Sequence, residues 1–112
     1  MRILRCTLPL TFAAALLALP TIFASTPETQ TLYKTKCGGC HGQEGQGAPS
    51  AYAQRMNSHA FSSPEVLKMT DAELIAIMNN GKGKYMPAYK GKLSDDEIKA
   101  LVAYVRELGG KK

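Results

Sequence analysis

The stretch Cys37-Gly-Gly-Cys40-His41 constrains this chain more than any other. It sets two thiols three positions apart and an imidazole directly after them. The chain around it is short. Arg2 and Arg5 precede an uncharged apolar run from Thr7 to Ala24, "TLPLTFAAALLALPTIFA", and the polar "STPETQ" follows. That order is the pattern of a secretory signal peptide over 1–24, with cleavage expected after Ala24. An uncleaved membrane anchor is the alternative, but Pro20 interrupts the run and it is barely long enough to span a bilayer. Removing 24 of the 112 residues leaves 88. So short a chain buries little surface and is marginal without a disulfide, a metal or a cofactor. Cys6 leaves with the leader, so the expected mature domain, 25–112, holds Cys37 and Cys40 alone in an oxidising compartment.

Three readings of the motif compete. A thioredoxin-like dithiol follows a strand in a βαβ pattern, and no segment here alternates with a strand's period of two. A structural zinc site needs four ligands. Cys37, Cys40, His41 and His59 supply the number, but adjacent Cys40 and His41 chelate awkwardly. The third reading is covalent haem, for which C-x-x-C-H is the attachment signature. Geometry supports it. On a helical turn, residues i and i+3 share a face with Cβ atoms ~5–6 Å apart, so both thiols reach one porphyrin edge. The next residue is turned by about 100°, which aims His41 away from the cysteine face, toward the iron. Gly38 and Gly39 leave room for a ring against the backbone.

The rest reads as an all-α chain. Pro27, with Thr26 as N-cap, opens a helix to about Lys36, with Leu32 and Tyr33 inward. Gly38, Gly39, Gly42, Gly45 and Gly47 then indicate a loop. A shorter helix starts at Pro64 with Ser63 as cap. "TDAELIAIMNNG" carries a Thr70/Glu73 capping box, apolar Leu74, Ile75 and Met78 on one face, and Gly81 as its stop. "SDDEIKALVAYVRELGG" repeats the box with Ser94 and Glu97. Its stripe is Ile98, Leu101, Val102, Val105 and Leu108. Asp95 and Asp96 suit the positive end of that helix dipole and Arg106 the negative end.

The second iron ligand decides what such a haem does. Two protein ligands make an electron carrier, whereas an open sixth position makes a potential catalyst. The soft or imidazole candidates are Met56, Met69, Met78, Met86 and His59. Met78 lies on an apolar helix face, which is more simply core packing. Met69 closes a short helix, and Met56 and His59 sit in "RMNSHAF", which has no constraining residue. Met86 stands in the loop "KGKYMPAYKGK", where Pro87 restricts its backbone to an extended form. Met86 is therefore the expected ligand, with Tyr85 and Tyr89 walling the site.

"CGGCHG", then "YMPAY" with Met86 45 positions after His41, then "LSDDEIKALVAYVREL" resemble a class I cytochrome c over Thr29 to Leu108. The resemblance implies a small bundle of three to five helices around one covalent haem c, with the N- and C-terminal helices crossing. It implies that Tyr33 meets Leu101 and Tyr104. It also implies that His41 gives its Nδ1 proton to a proline carbonyl, for which Pro49 is the matching residue. The family often has glycine where this chain has Thr29.

The functional expectation is a soluble, monomeric, periplasmic electron carrier. Cys37 and Cys40 hold the haem by thioethers, and His41 and Met86 hold the iron. Leu74, Ile75, Met78, Leu101 and Val105 are expected to exclude water from the ring. The rivals are a peroxidase-like enzyme with a labile sixth ligand and a haem subunit of a larger dehydrogenase. Fourteen Lys and Arg face nine Asp and Glu, and losing Arg2 and Arg5 takes the net charge from +5 to +3. That is too mild for a nucleic-acid binder. Lys82, Lys84, Lys90 and Lys92 around the Met86 loop suit an acidic surface on a redox protein partner.

Overall fold

Local signals account for most of the helices in the computed structural model, which describes residues 24–110. The expected leader, 1–24, lies outside the described residues apart from Ala24. Helix α1 is Pro27–Lys36, and the Thr26 hydroxyl accepts the Thr29 N–H at its start. Helix α5, Asp71–Asn80, begins with the complete Thr70/Glu73 box and ends at Gly81, φ 75°. Helix α6, Asp95–Gly110, starts with the same reciprocal pair: Ser94 N–H to Glu97 Oε2 at 2.7 Å and Glu97 N–H to Ser94 Oγ at 3.2 Å.

Three shorter segments complete the fold. Helix α2 is the single turn Gly38–His41, α3 is Ala51–Arg55, and α4 is Pro64–Leu67. Six helical segments thus stand among the described residues where three to five were expected. The additions are α2 and α3. Helix α2 resumes the course of α1 one residue later, with His41 N–H on the Cys37 carbonyl at 2.9 Å. Helix α3 has its own N-cap, Ser50, whose hydroxyl accepts the Ala53 N–H. Ser63 holds the N-cap position of α4, but its side chain caps no N–H there.

The α6 stripe is the centre of the core. Ile98, Leu101, Val102, Val105 and Leu108 are all buried, with Tyr33 of α1 and Leu74 and Met78 of α5. Each such aliphatic side chain contributes roughly 1.5–3 kcal/mol relative to exposure. The expected contact of Tyr33 with the last helix is present, as its ring packs edge-on against Tyr104. Thr29 borders an open groove between α1 and the start of α6, opposite Ala100.

Arg106 does not sit at the end of its own helix, which runs four residues further. It reaches across to the α4–α5 junction. Its Nε donates to Asp71 Oδ1 at 2.9 Å, its Nη1 to the Val66 carbonyl at 3.3 Å, and its Nη2 to the Met69 carbonyl. Among the described residues, no helix is long and apolar enough to cross a membrane.

Candidate haem site

The loop after α5 folds back on itself. Lys82 and Met86 exchange backbone hydrogen bonds at 3.1 and 3.3 Å, forming an isolated antiparallel bridge. The Tyr89 N–H then donates to the Met78 carbonyl at 2.8 Å and the Lys90 N–H to Asn79 at 3.3 Å. These bonds satisfy carbonyls that the end of α5 leaves without helical partners. The Tyr89 hydroxyl also donates to the Lys36 carbonyl at 3.2 Å, tying this loop to the end of α1.

Between this loop, α1–α2 and α5–α6 lies a cavity of about 590 Å³, within the ~300–1,000 Å³ of small-molecule sites. Cys37, Cys40, His41, Tyr85, Met86 and Tyr89 all line it. Of the expected apolar lining, Leu74, Met78, Leu101 and Val105 are there; Ile75 is not, and Ile77 takes its place. Ile75 packs against the core instead. Met56, Met69 and His59 also reach the cavity wall. Tyr85 is 49% exposed and stands at the rim, with the Lys84 ammonium 5.8 Å from its ring centre.

The donor chemistry suits haem c. Cys37 and Cys40 are free thiols, and Cys37 is partly buried while Cys40 is exposed. Burial, reinforced by the neighbouring Cys40, pushes the Cys37 thiol up to about 11. Burial also holds the His41 imidazole below its ordinary value, favouring the neutral ring that binds metal. Among the described residues, no three His, Cys, Asp or Glu side chains are placed to share a metal ion. The set Cys37, Cys40, His41 and His59 therefore does not form the four-ligand zinc site weighed above.

One expected contact is replaced. His41 Nδ1 lies 3.1 Å from the Ser58 hydroxyl, and Pro49 is exposed with no hydrogen bond to the ring. Phe61 stacks on the same imidazole, centroids 5.2 Å apart and planes 29° from parallel. Both residues belong to the segment after α3, which looks unconstrained in the sequence. Phe61 had a visible signal, an aromatic residue just before a helix start. Nothing local marks Ser58.

A family model described as cytochrome c oxidase, cbb3-type, subunit III matches residues 24–105. The chain belongs to this family of c-type cytochrome domains. It is 36% identical over 84 residues to the cbb3-type cytochrome c oxidase subunit CcoP of Azospirillum sp. (strain B510), covering 74% of this chain and 28% of that one. It is 31% identical to cytochrome c6 of Leptolyngbya boryana, over 66% of this chain and 81% of that protein. A solved structure, KustC0563 c-type cytochrome, superposes with a TM-score of 0.63 at 32% identity, over 71% of this chain and 95% of the other. The cytochrome domain therefore spans little more than a quarter of the CcoP relative but most of the c6 relative. As a c-type cytochrome domain it carries covalently bound haem c with its iron.

Proposed function

We propose that this cytochrome is an exported, soluble one-electron carrier whose haem is attached through Cys37 and Cys40 and ligated by His41 and Met86. The observation that carries the reading is the shared cavity, which all four side chains line. The haem iron, when bound, supplies a one-electron couple. The chain's own residues do the rest. Leu74, Met78, Leu101 and Val105 keep water from the cavity, and a low local dielectric penalises the extra charge of the oxidised state. A neutral thioether ligand favours the reduced state in the same direction. The backbone bridge from Lys82 to Met86 and the restriction imposed by Pro87 hold the methionine in place through the redox cycle.

The test is Met86→Ala in the haem-loaded protein. The expected result is loss of the weak red charge-transfer band of ferric iron bound to sulfur, a lower reduction potential, and new binding of cyanide and carbon monoxide. A variant that keeps the band overturns Met86 as ligand. A wild-type protein that already binds carbon monoxide supports the peroxidase-like alternative instead.

A second reading is a haem domain that works inside a larger respiratory assembly. The similarity to subunit CcoP of a cbb3-type oxidase favours it. Gel filtration of native extract separates the two: a free carrier elutes at the size of the domain, a subunit with its complex.

A further inference from the structure

We propose that Ser58 is the positioning residue that orients His41 and sets its donor strength toward the haem iron, a role that rests on His41 being an axial ligand. When Nε2 of a neutral imidazole binds metal, Nδ1 keeps the proton and must donate it to an acceptor. The acceptor present is the Ser58 hydroxyl oxygen, 3.1 Å away.

The surrounding backbone is built to hold that hydroxyl there. The loop after His41 is laced to the segment carrying Ser58 by two bonds: Ala48 N–H to the Ser58 carbonyl at 3.1 Å and Phe61 N–H to the Gly45 carbonyl at 2.9 Å. A third bond, Gly47 N–H to the His41 carbonyl at 2.9 Å, ties the loop back to the ligand's own residue. The two strands of this lacing touch so closely that a Cβ at Gly47 would meet the Ala60 nitrogen at 2.8 Å and the Ser58 carbonyl oxygen at 2.9 Å. Gly47 also has φ +89°, a conformation other residues resist. Asn57, at φ 53°, is in the left-handed region and turns the chain just before Ser58; asparagine is among the few side chains that tolerate it. Phe61 braces the face of the His41 ring while Ser58 engages its edge. Rotation of the ring therefore meets an aromatic contact and breaks a hydrogen bond.

Such a bond has an electronic consequence. An acceptor on Nδ1–H pushes electron density into the ring and makes Nε2 a stronger donor, which stabilises the ferric state. A hydroxyl is a neutral acceptor, so exchanging it for a carboxylate or for nothing moves the potential in opposite directions.

The experiment uses the haem-loaded protein and reads the reduction potential together with exchange of the Nδ1–H proton, followed by NMR of the ferrous form. Ser58→Ala is expected to raise the potential and speed the exchange several-fold. Ser58→Asp is expected to lower the potential, and Ser58→Thr to restore both readouts to the wild-type values. If Ser58→Ala does not accumulate, the Thr and Asp variants carry the comparison, and equal potentials in those two overturn the proposal. Unmoved potential and exchange in Ser58→Ala, with an intact low-spin spectrum, also overturn it and leave His41 as ligand. A His41→Ala protein that keeps the wild-type spectrum overturns the ligand assignment itself.

Discussion

The ring of Tyr33 meets the ring of Tyr104 edge-on, with centroids 5.2 Å apart and planes 84° from each other. The same Tyr33 donates its hydroxyl proton to the Gly42 carbonyl at 2.7 Å. One fully buried side chain thus joins the first helix, the last helix and the residue that follows His41. Tyr33→Phe keeps the ring contact and loses the hydrogen bond, at an expected cost of about 1 kcal/mol. Tyr33→Ala also opens a cavity and is expected to cost roughly 3–5 kcal/mol. Denaturant unfolding of the haem-loaded protein measures both.

Tyr33 also predicts a response to alkali. Burial raises its phenol above the ordinary value of 10.0. A raised acid favours its neutral form in the folded state, so its stabilisation is complete below pH 10 and is lost as pH rises through the folded value. Tyr33→Phe has no proton to lose there. Its stability is expected to fall less steeply with pH in that range, as followed by unfolding midpoints at successive alkaline pH values.

Arg106 offers a comparison within one cluster. Its ion pair with Asp71 is exposed on the acid side, where the Asp71 side chain is 67% accessible, and exposed pairs contribute at most about 1 kcal/mol. Its bonds to the Val66 and Met69 carbonyls are partly buried. Arg106→Ala is therefore expected to destabilise more than Asp71→Asn. Equal losses in thermal unfolding would assign the whole effect to the ion pair.

The Thr70 capping box gives a prediction in acid. Hydrogen bonds from the Thr70 backbone N–H and hydroxyl hold the Glu73 carboxyl below its ordinary value of 4.5. A depressed acid stabilises above its unfolded value, and that contribution is lost as pH falls through the folded one. Glu73→Gln is expected to lower stability at neutral pH and to flatten the acid limb of the unfolding midpoint against pH.

Lys82, Lys84, Lys90 and Lys92 are all exposed around the Met86 loop. Electron transfer to a partner with an acidic docking face is expected to slow as ionic strength rises, because salt screens exposed charges over a Debye length of ~10 Å at 0.1 M. Stopped-flow rates across a salt series measure this, and a flat series removes these lysines from docking.

The sequence by itself determined whatever depends on near neighbours in the chain. Ser94 and Glu97, like Thr70 and Glu73, are three residues apart, so each box closes within a single turn. The α6 stripe and the placing of Cys37, Cys40 and His41 around a single turn follow from helical spacing alone. Tertiary structure decided what touches the His41 ring. Ser58 is 17 residues away, and it arrives only because the glycine loop after the motif is laced to the segment that follows α3. Pro49 is much nearer in the chain, yet its place on the exposed side of that loop leaves it without the contact. Arg106 was likewise legible as a helix-end charge but not as a clamp on α4 and α5, since its partners lie 35 to 40 residues away. Helical periodicity and capping are short-range and survive in a one-dimensional reading. Side-chain partnership across a cavity depends on where the backbone turns, which is fixed by many weak contacts acting together.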